Sequence, residues 1–234
     1  MIAGGRRSHR RATARFPWAV LLLGGLALAV QTPQAIFTGA AGESWLAFWG
    51  FRPAQVAAIL DRPISEWADP ALGGLFGALL AHTGWLHLLG NVAYLWVFGI
   101  PVERSIGSLR LLLLFGLLGA LSNAVVALQL PEFDRLVLGA SGGVSAVVGI
   151  YFGLFPTRRI GLWLPLGLFL QFARIPALIV IGSWFTLQLL YSVFGPVSGA
   201  VAWWTHVAGF VLGLAAALVL RALPGRVVLD LPED

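Results

Sequence analysis

Several long stretches of this chain contain no charged residue, and this feature constrains its fold more than any other. The charge-free stretches of membrane-spanning length are 16–42, 70–102, 111–131, 136–157 and 175–220. A transmembrane helix needs roughly 20 apolar residues, and a charge near its centre is costly. The last stretch is long enough for two helices and is interrupted at Gly195 and Pro196, so the sequence predicts six spans.

Six such helices make this an all-α polytopic membrane protein. Charged residues are only 11% of the chain and hydrophobic residues 59%, whereas a soluble domain carries about 25% charge. An Arg-rich start before an apolar run is also typical of a signal peptide, but this run continues to Phe37 and no cleavage pattern follows it. The predicted helices are 16–37, 85–101, 109–130, 141–155, 176–194 and 202–221.

The basic residues indicate how the helices are oriented. All 15 are arginine, and with a cytoplasmic amino terminus only Arg52, Arg62 and Arg135 lie on the outer side. This bias agrees with the positive-inside rule, so the net charge of +5 reflects topology and no nucleic-acid partner is expected. The chain then divides into an Arg-rich cytoplasmic segment 1–15, a membrane domain 16–221 and a short cytoplasmic tail 222–234.

Two connecting segments are too long or too apolar to be simple turns. The outer segment 38–80 holds Trp45, Trp49 and Trp67, and tryptophan favours the membrane interface. It is expected to be partly structured there. The segment 159–174 is too short for an ordinary span and is predicted to lie in the interface on the cytoplasmic side.

Polar residues inside predicted spans are the candidates for function, because they are expensive in a bilayer. Ser141 lies at the start of the fourth helix, with glycines at 139, 142 and 143 that let another backbone approach closely. Its amide is among the first of the helix, where amides lack intrahelical partners and can bind negative charge. The alternative is that Ser141 only caps the helix and the glycines serve packing.

His206, in the sixth helix, shares a face with Gly209 and Gly213, three and seven residues later. Small residues also recur every fourth position from Ser141 in the fourth helix, and such faces let membrane helices pack closely. If these two faces meet, His206 comes within hydrogen-bond reach of Ser141 and can activate its hydroxyl as a nucleophile. The alternative is that His206 only bonds one helix to another.

His87 and Asn91 are four residues apart in the second helix and therefore lie on one face. Both can donate hydrogen bonds to an oxyanion, a major source of transition-state stabilisation in acyl transfer. A metal site formed with His82 and His206 is the weaker alternative, since no acidic residue lies at that depth and no zinc-protease spacing is present. Cysteine is absent, which excludes a thiol nucleophile and disulfides.

No aspartate or glutamate is placed to orient His206 as the acid of a catalytic triad would. Every acidic residue falls in a loop, in the tail, or at the cytoplasmic end of a helix, where Glu103 lies. The residues therefore predict a serine–histidine dyad.

These residues together resemble the rhomboid family of intramembrane serine proteases. The resemblance covers the chain from about Leu75 to Leu220 and rests on motifs in the family's order. His87-x-x-x-Asn91 looks like the second-helix HxxxN, and the run 101–107 (PVERSIG) is similar to the VExxxG that follows it. The run 139–142 (GASG) matches GxSG, and His206, Gly209 and Gly213 match the helix of the general base.

The resemblance implies a six-transmembrane-helix bundle with a water-filled cavity that opens to the non-cytoplasmic side. It assigns Ser141 as nucleophile, His206 as general base, and the Ser141 amide with His87 and Asn91 as the oxyanion hole, with His82 near the cavity mouth. Substrates would be transmembrane proteins cut near a helix end, and no cofactor is implied. The fifth helix and the loop 195–200 resemble the family's lateral gate and cap.

Two departures from the family pattern stand out. Some rhomboids have an aromatic residue four positions after the nucleophile, against which the histidine packs, but here that position is Ser145. His206 is therefore expected to be held by other groups, such as Trp203 or Trp204, or to be more mobile. The Trp-Arg pair that some members carry in the first loop has no clear match.

Two other functions compete with a protease. One is a catalytically inactive rhomboid relative that binds membrane clients, although such relatives usually lack the serine or the histidine. The other is a small transporter, although intramembrane carboxylates, broken helices and repeats are missing. The expected location is a bacterial plasma membrane, with a mitochondrial membrane as the alternative. The sequence leaves the substrate, the cleavage-site preference and the oligomeric state open.

Overall fold

The structure is a computed structural model that describes residues 16–166, 169–195, 200–223 and 227. The predicted cytoplasmic segment 1–15, nearly all of the predicted tail 222–234 and most of the predicted cap loop 195–200 lie outside the described residues. The main helices are α1 (Trp18–Ile36), α2 (Gly39–Trp49), α3 (Pro53–Leu60), α4 (Gly74–Gly77), α5 (Trp85–Tyr94), α6 (Ile100–Ile106), α7 (Ser108–Gln129), α8 (Ser141–Leu154), α9 (Ala177–Phe194) and α10 (Ala200–Ala222). The strands are β1 (Arg159–Leu166) and β2 (Phe169–Pro176).

All six predicted spans are helices, with bounds close to those expected. Four of them are long and apolar enough to cross a membrane: Trp85–Ile106, Ser108–Gln129, Ala177–Phe194 and Val201–Ala222. The other two, Trp18–Gln34 and Ser141–Leu154, are apolar but shorter. The chain is a helical integral membrane protein, as predicted, while the exact number of six spans stays a prediction.

The second helix was predicted as 85–101, which is too short. The structure continues the helix from α5 through a π-helical turn, Leu95–Gly99, into α6, which ends at Ile106. Proline lacks an N–H and its ring clashes with the carbonyl four residues earlier. A local change to π geometry is one way in which membrane helices accommodate proline without ending.

The joint between α6 and α7 is built around Glu103. Its buried carboxylate accepts hydrogen bonds from the amides of Ala19 (2.8 Å) and Val20 (2.9 Å), at the start of α1, and from the hydroxyl of Ser108 (2.5 Å). Gly107 links the two helices with φ of +89°, a conformation that favours glycine. The sequence placed Glu103 at a helix end, and the structure shows that it caps a second helix there.

Helix α8 lies at the centre of the bundle, and Gly142 to Tyr151 are buried without exception. It packs on α10 with the backbones in direct contact. A methyl group added to Gly149 would overlap the carbonyl oxygen of Phe210, and one added to Gly209 would overlap that of Gly142. The predicted small-residue faces of the fourth and sixth helices therefore do meet.

The outer segment 38–80 is partly structured, as predicted. It contains α2, α3, α4 and two short 3₁₀ turns. Part of it forms a small hydrophobic cluster with α7, in which Phe51, Val56 and Leu75 are buried. The amide side chain of Asn123 in α7 donates a hydrogen bond to the Leu75 carbonyl (2.8 Å).

The interfacial segment predicted at 159–174 forms a β-hairpin. Strand β1 pairs with β2 in antiparallel register from Arg159 opposite Pro176 to Leu166 opposite Phe169. The rings of Phe169 and Phe172 are 78% and 49% exposed. The length and apolar composition of this segment do not by themselves distinguish a hairpin from an interfacial helix.

The close contact between α8 and α10 predicts that adding a single methyl group there lowers the stability of the protein. Gly209→Ala places a methyl group against the Gly142 carbonyl, with no flexible side chain to yield, so we expect a loss of about 1–3 kcal/mol of stability. Thermal unfolding in detergent measures the loss. Gly25→Ala in α1 is the matched control, because nothing lies within 4 Å of the added methyl group. Equal melting temperatures for the two variants would contradict the close packing.

Candidate active site

All four residues predicted for the site line one cavity of about 680 Å³. Ser141 comes from α8, His206 from α10, and His87 and Asn91 from α5. The cavity wall also includes Phe133 and the segment 136–139, which precedes α8 on the side predicted to be non-cytoplasmic. Residues far apart in sequence are thus brought together as the motifs predict.

Ser141 is the first residue of α8, and the backbone before it is held by hydrogen bonds from outside the helix. Gly139 has φ of +144°, and its amide donates to the carbonyl of Ala78 (2.9 Å). The amide of Val144 is the first to bond within the helix, to the Ala140 carbonyl (2.9 Å). The amides of 141–143 therefore have no partner in their own helix, which makes this end suited to binding negative charge.

The ring of His87 lies directly beside Gly139, in the segment that leads into Ser141. A Cβ atom placed on Gly139 would be 2.8 Å from His87 Cε1, 3.2 Å from His87 Nε2 and 3.7 Å from the Ser141 hydroxyl oxygen. The imidazole and the hydroxyl thus flank the same glycine. Thr83 Oγ1 lies 3.2 Å from His87 Nδ1, a hydrogen bond that orients the ring.

His82 was predicted to lie near the cavity mouth, but its side chain is fully buried and is not part of the cavity wall. Its Nε2 accepts a hydrogen bond from the Ala140 amide (3.4 Å), and its ring packs edge-on against His87 at 5.1 Å. Burial, together with the neighbouring His87, lowers the pKa of His82 to about 4. The ring is therefore neutral at pH 7 and can act as an acceptor that holds the backbone before Ser141.

Asn91 is buried and lines both the cavity and a second, smaller pocket that Leu79 and His82 also line. Its side-chain nitrogen donates to the carbonyl of His87 (3.0 Å). An amide nitrogen carries two hydrogens, so this bond leaves one donor for a group in the cavity. The bond also fixes the amide relative to His87, four residues earlier.

His206 is half-buried and is held by residues that the sequence analysis did not identify. Its Nδ1 is 3.0 Å from the side-chain oxygen of Gln188, and its ring lies 5.9 Å from that of Trp184. The expected partner Trp203 instead stacks on Tyr191 at 4.8 Å. In the part of the chain that the structure describes, no hydrogen bond joins His206 to Ser141, although both line the cavity.

The positions of His82, His87 and His206 bear on the alternative of a metal site. Within the described residues, no three His, Asp or Glu side chains come close enough to hold a metal ion. His82 and His87 are in ring contact, but His82 already accepts the Ala140 amide through Nε2. The arrangement is one of hydrogen-bond donors and acceptors around a serine hydroxyl.

Comparison with known proteins identifies the family of this chain. A family model for the rhomboid domain matches residues 70–223. This chain belongs to the rhomboid family. The matched range covers nearly the same part of the chain as the motif resemblance, from α4 to the end of α10, and includes every residue on the cavity wall.

Several rhomboid proteases are similar in sequence. Rhomboid protease GlpG of Klebsiella pneumoniae is 31% identical over 215 residues, which cover 90% of this chain and 64% of that protein. Rhomboid protease GlpG of Haemophilus influenzae is 28% identical over 156 residues, or 67% of this chain and 73% of that protein. The putative rhomboid protease YdcA of Bacillus subtilis is 32% identical over 77 residues, or 33% and 38%. The chain spans slightly less than two thirds of the Klebsiella protein.

Gln188 and Trp184 are the residues of this rhomboid's site that sequence reasoning missed. Gln188 carried a usable signal, since an uncharged amide within a predicted span is expensive unless it finds a partner. Nothing in the sequence named that partner. The contact depends on how α9 is rotated against α10, which the spacing of charges does not determine.

The site geometry predicts that Gly139 does not tolerate a side chain. Gly139→Ala meets the His87 ring and forces a non-glycine residue to φ of +144°, a strain of about 1–3 kcal/mol. We expect a lower melting temperature in detergent. Gly73→Ala serves as control, because its added methyl group has nothing within 4 Å. If both variants melt like the wild type, the His87 ring does not occupy the position described.

Proposed function

We propose that this rhomboid is an intramembrane serine endopeptidase that cleaves transmembrane protein substrates within or near the bilayer. Ser141 and His206 act as nucleophile and general base. The single observation that carries the proposal is that both residues line one cavity, with Ser141 at an amide-rich helix start. Membership of the family supports it independently.

The proposed reaction follows from the positions of the polar groups. His206 Nδ1 is bonded to Gln188, so Nε2 is the nitrogen available to take the proton of the Ser141 hydroxyl. The serine oxygen then attacks the scissile carbonyl, and protonated His206 delivers its proton to the leaving amine. In the second step, His206 takes a proton from a water molecule that attacks the acyl-enzyme. It then returns this proton to the Ser141 oxygen as the ester bond breaks.

The oxyanion hole of the proposed mechanism comprises the Ser141 amide, His87 and Asn91. The Ser141 amide lacks an intrahelical partner, and Asn91 retains one N–H for the cavity. The His87 ring lies across Gly139 from the hydroxyl. Donors fixed in advance around developing charge are usually the largest single contribution to catalysis of this kind.

The proposed orientation puts both termini in the cytoplasm of a bacterial cell and the enzyme in its plasma membrane. The arginine bias supports it, because Arg104, Arg110 and Arg221 lie near helix ends and off the cavity wall. Arg221 also bonds to the Gly153 carbonyl, at the end of α8 opposite to Ser141. Transmembrane substrates would then be cut near the outer surface of the bilayer.

An inactive client-binding relative is the second candidate, and it is not favoured. Such a protein has no need of a serine and a histidine on the same cavity wall, and both are present here. A transporter is less favoured still. The sequence has no acidic residue between Asp134 and Asp230, whereas carboxylates within spans are common in proton- and ion-coupled carriers.

The dyad predicts a non-additive pattern of activity loss. Ser141→Ala and His206→Ala should each abolish cleavage of a reporter transmembrane substrate in liposomes, because each removes one half of the proton transfer. The double variant should be no worse than either single one, since residues that act as a unit lose their effect together. A fluorophosphonate probe should label the wild type at Ser141. Undiminished turnover by Ser141→Ala would rule out the serine mechanism.

Asn91 and Asn123 offer a comparison between a catalytic and a structural amide. Asn91→Ala should lower kcat by roughly 10- to 1,000-fold, the usual effect of losing one oxyanion donor, with a small change in melting temperature. Asn123→Ala loses the bond to Leu75 and should lower the melting temperature more than kcat. Normal cleavage by Asn91→Ala would assign the oxyanion role elsewhere.

A further inference from the structure

The hydrogen bond between Gln188 and His206 gives the site a third member. We infer that Gln188 is a positioning residue, which fixes the tautomer and the orientation of His206 for the proposed dyad. The inference therefore rests on the proposed function. It is carried by the 3.0 Å contact between Gln188 Oε1 and His206 Nδ1 and by the position of Trp184 against the same ring.

The chemistry of an amide oxygen decides the tautomer. It is an acceptor only, so the contact requires Nδ1 of His206 to carry its hydrogen. Nε2 is then left with a lone pair, the state that a general base needs to accept the proton of Ser141. In the opposite tautomer, the lone pair of Nδ1 would face a lone pair of the amide oxygen at 3.0 Å. Nε2 would then carry the hydrogen and could not act as a base toward the hydroxyl.

Gln188 and Trp184 act on the ring together. They are four residues apart in α9 and so lie on the same face of that helix. The Trp184 ring lies 5.9 Å from the imidazole at a tilt of 36°. The indole limits rotation of the imidazole, and the amide holds its Nδ1 edge. Together they take the place of the aromatic contact that Ser145 cannot provide.

Gln188 differs from the hydroxyl side chains of α9 in where its hydrogen bond is made. Ser183, Thr186 and Ser192 each donate a hydrogen bond to a carbonyl of their own helix. In α9, Gln188 instead reaches across to α10. The buried residues of α9 are Ala177 and Ile181, so this bond joins a largely exposed helix to the site.

A neutral partner also suits the surroundings of His206. Neither α8 nor α9 contains a charged residue, and the charge in α10 is Arg221 at its far end. The titratable side chains that line the cavity together with His206 are His87 and Tyr94, both on α5. A buried carboxylate in place of Gln188 would carry a desolvation cost, whereas the amide orients the ring without introducing a charge.

Two substitutions at position 188 separate positioning from simple helix packing. Gln188→Met keeps the length and removes the acceptor, and Gln188→Glu keeps the acceptor and adds a negative charge. The readouts are kcat, KM and the acid limb of the kcat–pH profile for a reporter transmembrane substrate, with the melting temperature measured in parallel. Ser192→Ala is the control, since its hydroxyl bonds only within α9.

The sign of each expected shift follows from the role of neutral His206 as the base. A negative charge at 188 favours protonated His206, so the acid limb of Gln188→Glu should move to higher pH by about one unit or more. Loss of the acceptor in Gln188→Met removes a bond that is stronger to the protonated ring, so its limb should move to lower pH. Its kcat should fall by up to about 100-fold with little change in KM, as for a misplaced catalytic group.

The outcomes are distinguishable from failure of the proposed function. If the wild type neither cleaves nor reacts with the fluorophosphonate, the protease proposal fails. An active wild type whose acid limb stays in place in both variants would overturn the positioning role. The same holds if Gln188→Met loses melting temperature alone, or if Ser192→Ala gives the same pH shift. His87 is present in every variant, so its titration cancels in the comparison.

Discussion

The direct contact of α8 with α10 is the interaction on which the rest of this structure depends. Helix α8 has 14 residues, about 21 Å at 1.5 Å per residue, whereas the hydrocarbon core is about 30 Å thick. It cannot span unaided, and it survives because neighbouring helices bury it on all sides. The glycines allow α10 to approach as closely as the backbone permits. In the orientation proposed above, the start of α8, with Ser141, would lie below the outer membrane surface.

A helix that begins at that depth leaves backbone groups that lipid cannot satisfy. The outer segment and His82, just after it, supply the missing partners. Ala78 accepts from the Gly139 amide, and His82 accepts from the Ala140 amide. Phe51 pairs with Val137 through two backbone hydrogen bonds of 3.3 and 2.8 Å. The segment 38–80 and the buried His82 that follows it thus support the loop before the serine.

The sequence predicted what charge spacing and motif order determine, and missed what depends on packing. Charges are costly within a bilayer, so their spacing indicated where the apolar helices lie. The order of the motifs indicated that Ser141, His87, Asn91 and His206 meet at one cavity. The π turn before Pro101 and the hairpin at 159–176 were missed, because proline and short apolar runs are compatible with several local structures. The contact of Gln188 was missed because it depends on the rotation of α9.

The proposed site is neutral at rest, and its position at that depth gives a physical reason. In a low-dielectric environment a buried ion pair pays a desolvation cost that its attraction repays only with excellent geometry. Ser141, His206, Gln188 and Asn91 carry no charge in the resting state of the proposed mechanism. Opposite charges arise together, on the imidazole and on the oxyanion, only as the hydroxyl attacks. The backbone amides and Gln188 already lie around the positions of the oxyanion and the imidazolium. The protein therefore stabilises these charges when the reaction creates them, and the site carries no charge before that.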